Sequence, residues 1–525
     1  MAFRPPSVLT AGDIVIDQHI YRGERVTLHD RPRYGTSAFP EPGGAALTHR
    51  MIEALLAADL KERTDLWERD GRRGAKPESA RCKLVCEPPT LDDPDWPQRL
   101  VGWASWAPFP KAGTNNLYWR CSAQFGYGTQ STDDKRFLHR AKDAPRHPDI
   151  LVLDDAGDDF RRRKHEDLWQ LSPRKTRLPR WILLKLAGPI GKGDLWHRLM
   201  NCEPRKRLVV LVSADLLRQG NIRLSRGLSW ERTAEHLCTG FTHNPILQPL
   251  RRARHVIVNF NGDGAMWIDF SGRAPRARLI FDPACAEGER VGRIPGTVFG
   301  YQTCLTAAIT LTLARHETRS DPDFRPAIER GLSATRNLSA EGHGLAVSDK
   351  GEYHAASGFP TERLAKEILG PSQRYAVSDV PWRPANSGDG RARPWSILGA
   401  LQHPAAAAEP LYGYARQLLI RGESILEHVP HLRLRKLLTA DRTEIESLRS
   451  LRRILEAYRD TGSSKKPLCI GVFGSPGSGK SFGVEQLAQA VFGDPDKDGY
   501  KGWKEFNLAQ FDSEIVCCSS DGIVG

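Results

Sequence analysis

Long apolar runs, clustered cysteines and a secretory leader pattern are all missing from this sequence of 525 residues. No stretch of eighteen apolar residues occurs, and the first residues lack the basic and apolar segments of a signal peptide. The ten cysteines are scattered, and the nearest pairs, Cys82/Cys86 and Cys517/Cys518, lack the C-x-x-C spacing of a zinc site. We therefore expect a cytoplasmic protein with reduced thiols and no membrane partner.

A concentrated positive charge is also missing, although the formal net charge is +13. The basic residues are spread along the chain and form only short clusters, such as the sequence RRRK at 161–164. A solvated basic face explains this balance more simply than a nucleic-acid site does, so nucleic acid is not an expected partner. The hydrophobic content of 40% is that of an ordinary globular protein, and the length allows two to four domains.

The sequence LCIGVFGSPGSGKS at 468–481 contains the clearest chemical motif of the chain. The apolar residues 468–473 predict a buried parallel strand, and a helix is predicted over 482–491. Between them lies a full match to the Walker A pattern G-x-x-x-x-G-K-[ST]. The loop consists of Gly474, Ser475, Pro476, Gly477, Ser478, Gly479, Lys480 and Ser481.

This loop predicts a nucleotide site. Its glycines let consecutive backbone N–H groups point at phosphate oxygens, and the following helix directs its positive end at the same anion. Lys480 is expected to reach the terminal phosphates of ATP, and the Ser481 hydroxyl to hold Mg²⁺. The expected cofactors are therefore ATP and Mg²⁺. The sequence alone identifies no catalytic residue.

The loop and its surroundings resemble AAA-type P-loop ATPases. The motif GSPGSGKS follows a charged helix predicted over 443–455, whose apolar residues share one face. The resemblance implies a homo-oligomer if the module is complete. The motif is also similar to that of small-molecule P-loop kinases, so it does not decide between the two classes.

The amino-terminal region predicts an α/β domain. An apolar strand ends in Asp17, and the sequence PGGAA at 42–46 opens an amphipathic helix. Further along, apolar strands at 150–153, 181–186 and 208–212 alternate with helical segments. This alternation favours a mostly parallel sheet with helices on both faces.

The combination of GDIVID and PGGAA resembles the ribokinase-like (PfkB-type) carbohydrate kinases. The resemblance implies that Asp13 or Asp17, together with Gly43 and Gly44, contacts the hydroxyls of a sugar or nucleoside ligand. An edge aspartate and a helix-opening turn would give the same pattern without a ligand. The segment HVIVNFNGDGAMW at 255–267 also resembles the family, in a strand and turn on its ATP side.

Two further stretches have a functional and a structural explanation. The aromatic-rich stretch 93–130 suits half-buried strands better than a ligand-stacking surface. The acidic residues Asp154, Asp155, Asp158 and Asp159 follow a strand, where Mg²⁺ binds in open α/β sheets, but a solvated turn is the simpler expectation.

One departure from the kinase pattern concerns catalysis. The family has a general-base aspartate in a Gly-rich loop at a helix start, whereas the corresponding sequence here, GTVFGYQTCLTAA at 296–308, contains none. Without that carboxylate, general-base catalysis loses roughly 10²–10⁴-fold. We expect this domain to keep ligand binding and to have lost kinase activity.

The sequence after the P-loop is short for an ATPase. A complete core needs further βα units and an acidic strand, and the segment IVCCSSD at 515–521 is a poor match to that strand. No arginine finger or sensor residue is identified either. Either a fragment of a longer ATPase or a truncated gene product would explain this; we favour the truncated product, in which ATP hydrolysis is lost.

The predicted fold class is α/β, with four segments: a degenerate ribokinase-like domain (6–316), a mixed helical region with a Pro/Gly-rich linker (317–404), a helical connector (405–462) and the first part of a P-loop domain (463–525). The leading functional hypothesis is an AAA-like ATP-binding protein with a ligand-sensing pseudokinase domain. An active carbohydrate kinase and a non-catalytic interaction protein are the alternatives.

Overall fold

The structure is a computed structural model, and it describes most of the chain. The described residues are 5–28, 31–70, 76–86, 101–111, 114–128, 140–141, 148–155, 159–171, 178–200, 203–290, 300–316, 320–354, 356, 358–372, 375–382, 395–400, 416, 418–461 and 467–493. The chain forms two compact units. The first comprises Met1–Arg226, Arg232–Asp282 and Ala286–Ala392, and the second comprises Gly227–Glu231, Pro283–Cys285 and Arg393–Gly525. The four predicted domain boundaries remain predictions.

A nine-stranded sheet forms the centre of the first unit. Its strands are β1 (Ser7–Gly12), β4 (Arg81–Leu84), β7 (Ile150–Asp155), β8 (Trp181–Leu186), β9 (Leu208–Ser213), β10 (His255–Asn259), β11 (Gly264–Asp269), β12 (Arg276–Phe281) and β14 (Ala376–Val380). Their order is β14-β12-β11-β10-β9-β8-β7-β1-β4. The six strands from β4 to β10 run parallel, and β11, β12 and β14 are added by antiparallel pairing.

The apolar runs of the sequence explain the middle of this sheet. Strands β7 and β9 are buried along their whole length, as are five of the six residues of β8. Parallel strands covered on both faces require such continuous apolar runs. The predicted α/β fold class is confirmed.

Helices of the first unit follow the strands in the expected alternation. They are α1 (Ala45–Arg69), α2 (Asp194–Met200), α3 (Ala214–Gln219), α4 (Trp230–His243), α5 (Tyr301–Arg315), α6 (Arg325–Glu341) and α7 (Thr361–Leu369). Ser213 caps the start of α3, because its side chain accepts a hydrogen bond from Leu216 N at 3.1 Å. Apolar side chains of α1, α5, α6 and α7 share one core with the sheet.

A second sheet of five strands belongs to the same unit. It consists of β2 (Ile14–Leu28), β3 (Arg31–Gly44), β5 (Val101–Pro110), β6 (Leu117–Gly128) and β13 (Leu345–Val347), in the order β13-β6-β5-β2-β3. Tyr21, Trp106 and Trp119 form its buried centre. The aromatic-rich stretch forms strands β5 and β6, in which Trp106 and Trp119 are buried whereas Trp103 and Phe125 are exposed.

The chain passes from one sheet to the other at Asp13, and here one prediction was wrong. The strand expected to end at Asp17 continues to Leu28, and strand β3 follows it. Pairing between β2 and β3 explains the extension, because each strand satisfies the backbone groups of the other. Gly43 and Gly44 are the last residues of β3, and α1 begins immediately afterwards.

The second unit contains the predicted charged helix and a hairpin that the sequence did not predict. The hairpin is β15 (Leu432–Leu434) with β16 (Leu437–Thr439), and the helices are α8 (Ile397–Ala400), α9 (Arg442–Asp460) and α10 (Lys480–Phe492). Asp441 caps α9 by accepting a hydrogen bond from Glu444 N at 2.9 Å. Leu432, Leu434, Ile445 and Leu487 form a small core shared by the hairpin and both long helices.

The predicted buried strand at 468–473 is wrong. These residues have no regular secondary structure and are largely exposed, with Phe473 95% exposed. No strand among the described residues pairs with them, and an unpaired apolar segment cannot bury its side chains or its backbone. The helix predicted after the loop is confirmed by α10. The acidic segment 515–521 and most of the Pro/Gly-rich tract at 370–394 lie outside the described residues.

Two absences bear on the first expectations. Within the described ranges, no helix is both long enough and apolar enough to cross a membrane. The seven cysteines found there are all free.

Candidate functional site

The carboxyl ends of the parallel strands hold a buried polar cluster. Lys185 of β8 donates a hydrogen bond to Asp154 Oδ2 of β7 at 2.8 Å. The same ammonium lies 3.2 Å from Thr48 Oγ1 of α1 and 3.3 Å from Thr303 Oγ1 of α5. Thr48 also donates to Asp154 Oδ2, at 2.5 Å. Asp154 is fully buried, and its second oxygen, Oδ1, has no hydrogen-bond partner among the described residues.

Asp17 of the five-stranded sheet lies next to this cluster. Its carboxylate is buried and accepts no hydrogen bond from the residues that the structure describes, although it interacts electrostatically with Lys185 and Asp154. Burial raises the pKa of Asp17 to about 6, and the nearby Glu41 and Asp154 charges act in the same direction, against His19 and Lys185. We call Asp17, Thr48, Asp154, Lys185 and Thr303 the carboxylate site.

A hydrogen-bonded network supports Asp17 from the side of the five-stranded sheet. Trp106 Nε1 donates to His19 Nδ1 at 2.9 Å, so the other ring nitrogen of His19 faces Glu41 Oε2, 3.5 Å away. Arg50 donates to the second oxygen of Glu41 at 2.6 Å. Burial opposes ionisation of Glu41, but His19 and Arg50 outweigh it and lower its pKa to about 2.

The remaining predicted ligand residues lie around Asp17 in different roles. Gly43 lies directly against its carboxylate, because a Cβ atom added at Gly43 would be only 1.9 Å from Asp17 Oδ2. Asp13 instead accepts a hydrogen bond from Phe160 N at 2.9 Å, which holds the segment after β7. Gly44 has φ +57° and packs on the Asp13 carbonyl. The structure thus brings Asp17 and Gly43 together, and Asp13 and Gly44 together.

The acidic residues after β7 point to separate partners. Asp155 forms a two-point hydrogen bond with Arg161, at 3.2 and 2.7 Å. Asp159 pairs with His165 at 2.9 Å and with Lys164 at 2.9 Å. The expectation of a solvated turn is wrong for Asp154 and Asp155, which are buried, and Asp158 lies outside the described residues. The described acids form no common Mg²⁺ site.

The start of α5 has no carboxylate in its first turn, although the family resemblance implies one at this helix start. Gly300, with φ +74°, precedes the helix, and Thr303 in its first turn is buried beside Lys185. Residues 296–299 of the predicted helix start lie outside the described part of the chain. Asp17 and Asp154 are therefore the carboxylates of the site, and they come from other elements.

The P-loop, residues 474–481, consists of an exposed turn, 474–479, and the first two residues of α10. Gly477 and Gly479 have φ +78° and +76°, which only glycine adopts without strain. Lys480 Nζ donates to the carbonyls of Gly474 and Ser475, at 2.9 and 2.8 Å. The lysine thus folds back over its own loop. Ser481 is exposed in the first turn of the helix, where it could hold Mg²⁺ beside a bound nucleotide.

Sequence reasoning missed several residues of the carboxylate site and of the hydrogen-bonded network beside it. Lys185 is the only charged residue of the apolar strand WILLKL, and this isolated charge was a signal that could have been used. Glu41 and His19 could not be placed, because their facing positions depend on the register of β2 and β3. Asp154 was considered for a metal and not for a lysine partner.

Solved structures similar in arrangement to this chain are carbohydrate kinases. A structure of Escherichia coli phosphofructokinase-2 with substrates and products is 12% identical, the match covers 70% of this chain and 100% of that chain, and the TM-score is 0.34. A carbohydrate kinase from Agrobacterium tumefaciens is 10% identical, with 71% of this chain and 100% of that chain covered, and a TM-score of 0.33. Similarity at this level supports no statement about function.

No protein-family model matches the sequence, and no curated protein sequence matches it significantly.

Proposed function

We propose that the first unit binds a small, hydroxyl-rich molecule of the sugar or nucleoside class at the carboxylate site. The observation that carries this proposal is the Asp17 carboxylate, which is buried without a hydrogen bond from the described residues. A buried carboxylate without a donor is costly, and a ligand hydroxyl would supply that donor. Asp154 Oδ1 is a second acceptor of the same kind.

The charges of the site favour a neutral ligand with several hydroxyls. Asp17 and Asp154 are the two carboxylates of the site and Glu41 lies beside them, whereas Lys185 is already bound to Asp154 and Arg50 to Glu41. An anionic group placed against Asp17 would meet like charge, while a hydroxyl can donate to a carboxylate and accept from Lys185 or Thr303. The position at the carboxyl ends of parallel strands is also where open α/β sheets bind ligands.

Calorimetry of the full chain against pentoses, hexoses and nucleosides tests the proposal. We expect saturable heat with at least one of them, and Asp17→Asn should weaken that binding by about tenfold to a hundredfold, because a hydrogen bond to a charged group is lost. Asp379→Asn, on a side chain that is 87% exposed, is the matched control and should change nothing. Absence of heat with every compound, or equal loss in the control variant, would reject the proposal.

Phosphoryl transfer to the bound hydroxyl is the second candidate function. The pKa of about 6 at Asp17 favours it, because a general base works best when its pKa lies near the operating pH. The threonine at the start of α5 argues against the catalytic arrangement that the family resemblance implies.

Transfer of labelled phosphate from ATP to the ligand decides between binding and catalysis. A working kinase should show an acid limb near pH 6 and lose about 10²–10⁴-fold in rate in Asp17→Asn. Transfer that is unchanged in this variant would exclude Asp17 as the base. Intact binding without phosphate transfer would mean that the first unit binds the ligand and does not phosphorylate it.

We also propose that the P-loop binds ATP with Mg²⁺. The positive φ angles of Gly477 and Gly479 and the helix that starts at Lys480 support this, since both present N–H groups to an anion. Lys480→Ala should weaken ATP binding at least about tenfold, and Lys436→Ala, on another exposed lysine, should not. Equal ATP affinity of the wild type and the Lys480→Ala variant would contradict a nucleotide site here. The AAA-like class and a role in coupling ligand binding to ATP remain hypotheses.

A further inference from the structure

The edge of the nine-stranded sheet opposite the carboxylate site gathers basic residues from distant parts of the sequence. Strands β9 and β10 are parallel neighbours, so the segments that lead into them are neighbours too. The first segment ends in RKR at 205–207, and the second ends in RRAR at 251–254. The turn between β11 and β12, which contains Arg273, reaches the same edge because β11 runs antiparallel to β10. The fold therefore concentrates charges that the sequence shows as short, separate clusters.

Hydrogen bonds between these segments fix their relative positions. Arg207 Nη1 donates to Pro179 O, just before β8, at 2.9 Å. The Arg254 side chain donates to Lys206 O at 3.2 Å. Phe270 N, at the start of the turn between β11 and β12, donates to Arg254 O at 2.9 Å. The exposed cations are therefore attached to an ordered backbone, and a partner does not have to order that backbone on binding.

The positive charge of this edge is not neutralised by the acids beside it. Four arginines are exposed and form no ion pair with the residues that the structure describes: Arg205, Arg251, Arg252 and Arg273. Lys206 is exposed among them. Asp321 and Asp269 do not compensate these charges, because they are already bound by Arg254 and Arg276. We call Arg205, Lys206, Arg251, Arg252 and Arg273 the basic edge.

A row of phosphate groups suits the chemistry of the basic edge. Four of its five cations are arginines, whose guanidinium binds a phosphate through two parallel hydrogen bonds. The backbone of a nucleic acid carries phosphates at regular intervals, so one molecule can contact several cations held at separate points. An acidic peptide carries its carboxylates on flexible side chains, each of which has to be ordered on binding. The charge pattern therefore favours nucleic acid over an acidic peptide.

We propose that the basic edge binds the phosphate backbone of nucleic acid. Contacts to phosphates carry no information about the bases, so the binding is independent of base sequence. It releases counterions condensed on the nucleic acid and therefore weakens as the salt concentration rises. The basic edge shares no residue with the carboxylate site or the P-loop, and the proposal does not depend on what those sites bind.

Fluorescence anisotropy of labelled duplex DNA and labelled single-stranded RNA, titrated with the full chain, tests the proposal. We expect saturable binding of at least one of them, with a dissociation constant of about 1–100 μM near physiological salt. The logarithm of the affinity should fall linearly with the logarithm of the salt concentration, with a slope of about −3 to −5 for contacts from five cations. Comparison of the two probes shows which nucleic acid is preferred.

Two double variants with the same change of charge separate the basic edge from the charge of the whole protein. Arg251→Gln with Arg252→Gln should weaken binding at least about tenfold at low salt and make the slope shallower by about 2. Arg22→Gln with Lys350→Gln, on exposed side chains of the five-stranded sheet, is the matched control and should leave the slope unchanged. Surface substitutions of this kind have little effect on stability, and circular dichroism checks that both variants are folded.

Three results would overturn the proposal. The first is the absence of saturable binding to both oligonucleotides. The second is an equal change of slope in the control variant, which would assign the binding to the net charge of +13 and not to this edge. The third is tighter binding to phosphatidylserine vesicles or to polyglutamate than to either oligonucleotide, which would identify a membrane or an acidic protein as the partner.

Discussion

The carboxylate site includes residues of β7 and β8, two strands that the sequence predicts, and the P-loop follows a segment for which a strand was also predicted. The two sites differ in how far the folded chain encloses them. Asp154 is completely buried, and Thr48 and Lys185 both donate hydrogen bonds to its Oδ2. Residues 474–479 of the P-loop are exposed, and Lys480 is held only by carbonyls of its own loop. The first site is therefore part of the core, whereas the second is a local turn.

The difference decides what a substitution does at each place. A buried charge that loses its partner stays desolvated without compensation, whereas an exposed charge remains hydrated. Removing the Lys185 ammonium from the carboxylate site should therefore reduce both stability and ligand binding. Changes in the P-loop should affect binding alone.

Removing the same cation from both sites gives the largest expected contrast. Lys185→Met should destabilise the protein by about 3–5 kcal/mol, because Asp154 stays buried without its ion-pair partner. Lys480→Met should change stability by less than about 0.5 kcal/mol, as expected for a surface substitution. Urea unfolding followed by tryptophan fluorescence measures both, with Lys350→Met, on an exposed lysine, as the control. Similar losses of stability in Lys185→Met and Lys480→Met would contradict the view that only the carboxylate site is part of the core.

The second-largest expected effect is the pH dependence of stability that Asp17 causes. Because its pKa in the folded protein, about 6, lies above the ordinary value of 3.8, the folded state binds more protons than the unfolded state between these limits. Stability conferred by the protonated form is complete below about pH 4 and is lost as the pH rises to about 6.

Asp17→Asn should abolish this loss. Its stability relative to the wild type should rise between about pH 4 and 6, by an amount on the order of 2–4 kcal/mol. Denaturation of both proteins at several pH values measures the difference. A difference that is constant across this interval would mean that burial does not raise the pKa of Asp17.

A smaller effect is expected from adding one carbon at the carboxylate site. Gly43→Ala places a methyl group where Asp17 Oδ2 now lies, and we expect a loss of about 1–3 kcal/mol from overpacking. The same change in an Asp17→Ala background should cost less, because the obstructing oxygen is gone. A double-mutant cycle measures this coupling, and additive losses would show that the two residues do not touch.

The sequence predicted the nine-stranded sheet better than the five-stranded sheet because the two sheets carry different local signals. Strands β7, β8 and β9 are apolar runs, and such runs identify buried strands without knowledge of their neighbours. The strand β2 contains charged and polar residues beyond Asp17, and only its pairing with β3 and β5 keeps it extended.

The two sites were predictable to different degrees for the same reason. The P-loop is contiguous, so its residues are visible as a motif, although the strand expected before it is not formed. The carboxylate site takes its side chains from five separate elements. Asp17 followed from a resemblance, but the pairing of Lys185 with Asp154 depends on which strands are neighbours, and that is a property of the fold.

The crossing at Asp13 has a consequence for how this chain tolerates length changes. Asp13 O accepts a hydrogen bond from Ala45 N at 2.9 Å, so the start of β2 and the end of β3 are anchored together beside the carboxylate site. Extra residues between β2 and β3 would leave that site untouched. One residue inserted between Gly12 and Asp17 would reverse the strand's two faces, moving the Asp17 side chain to the opposite face and Ile16 into its place.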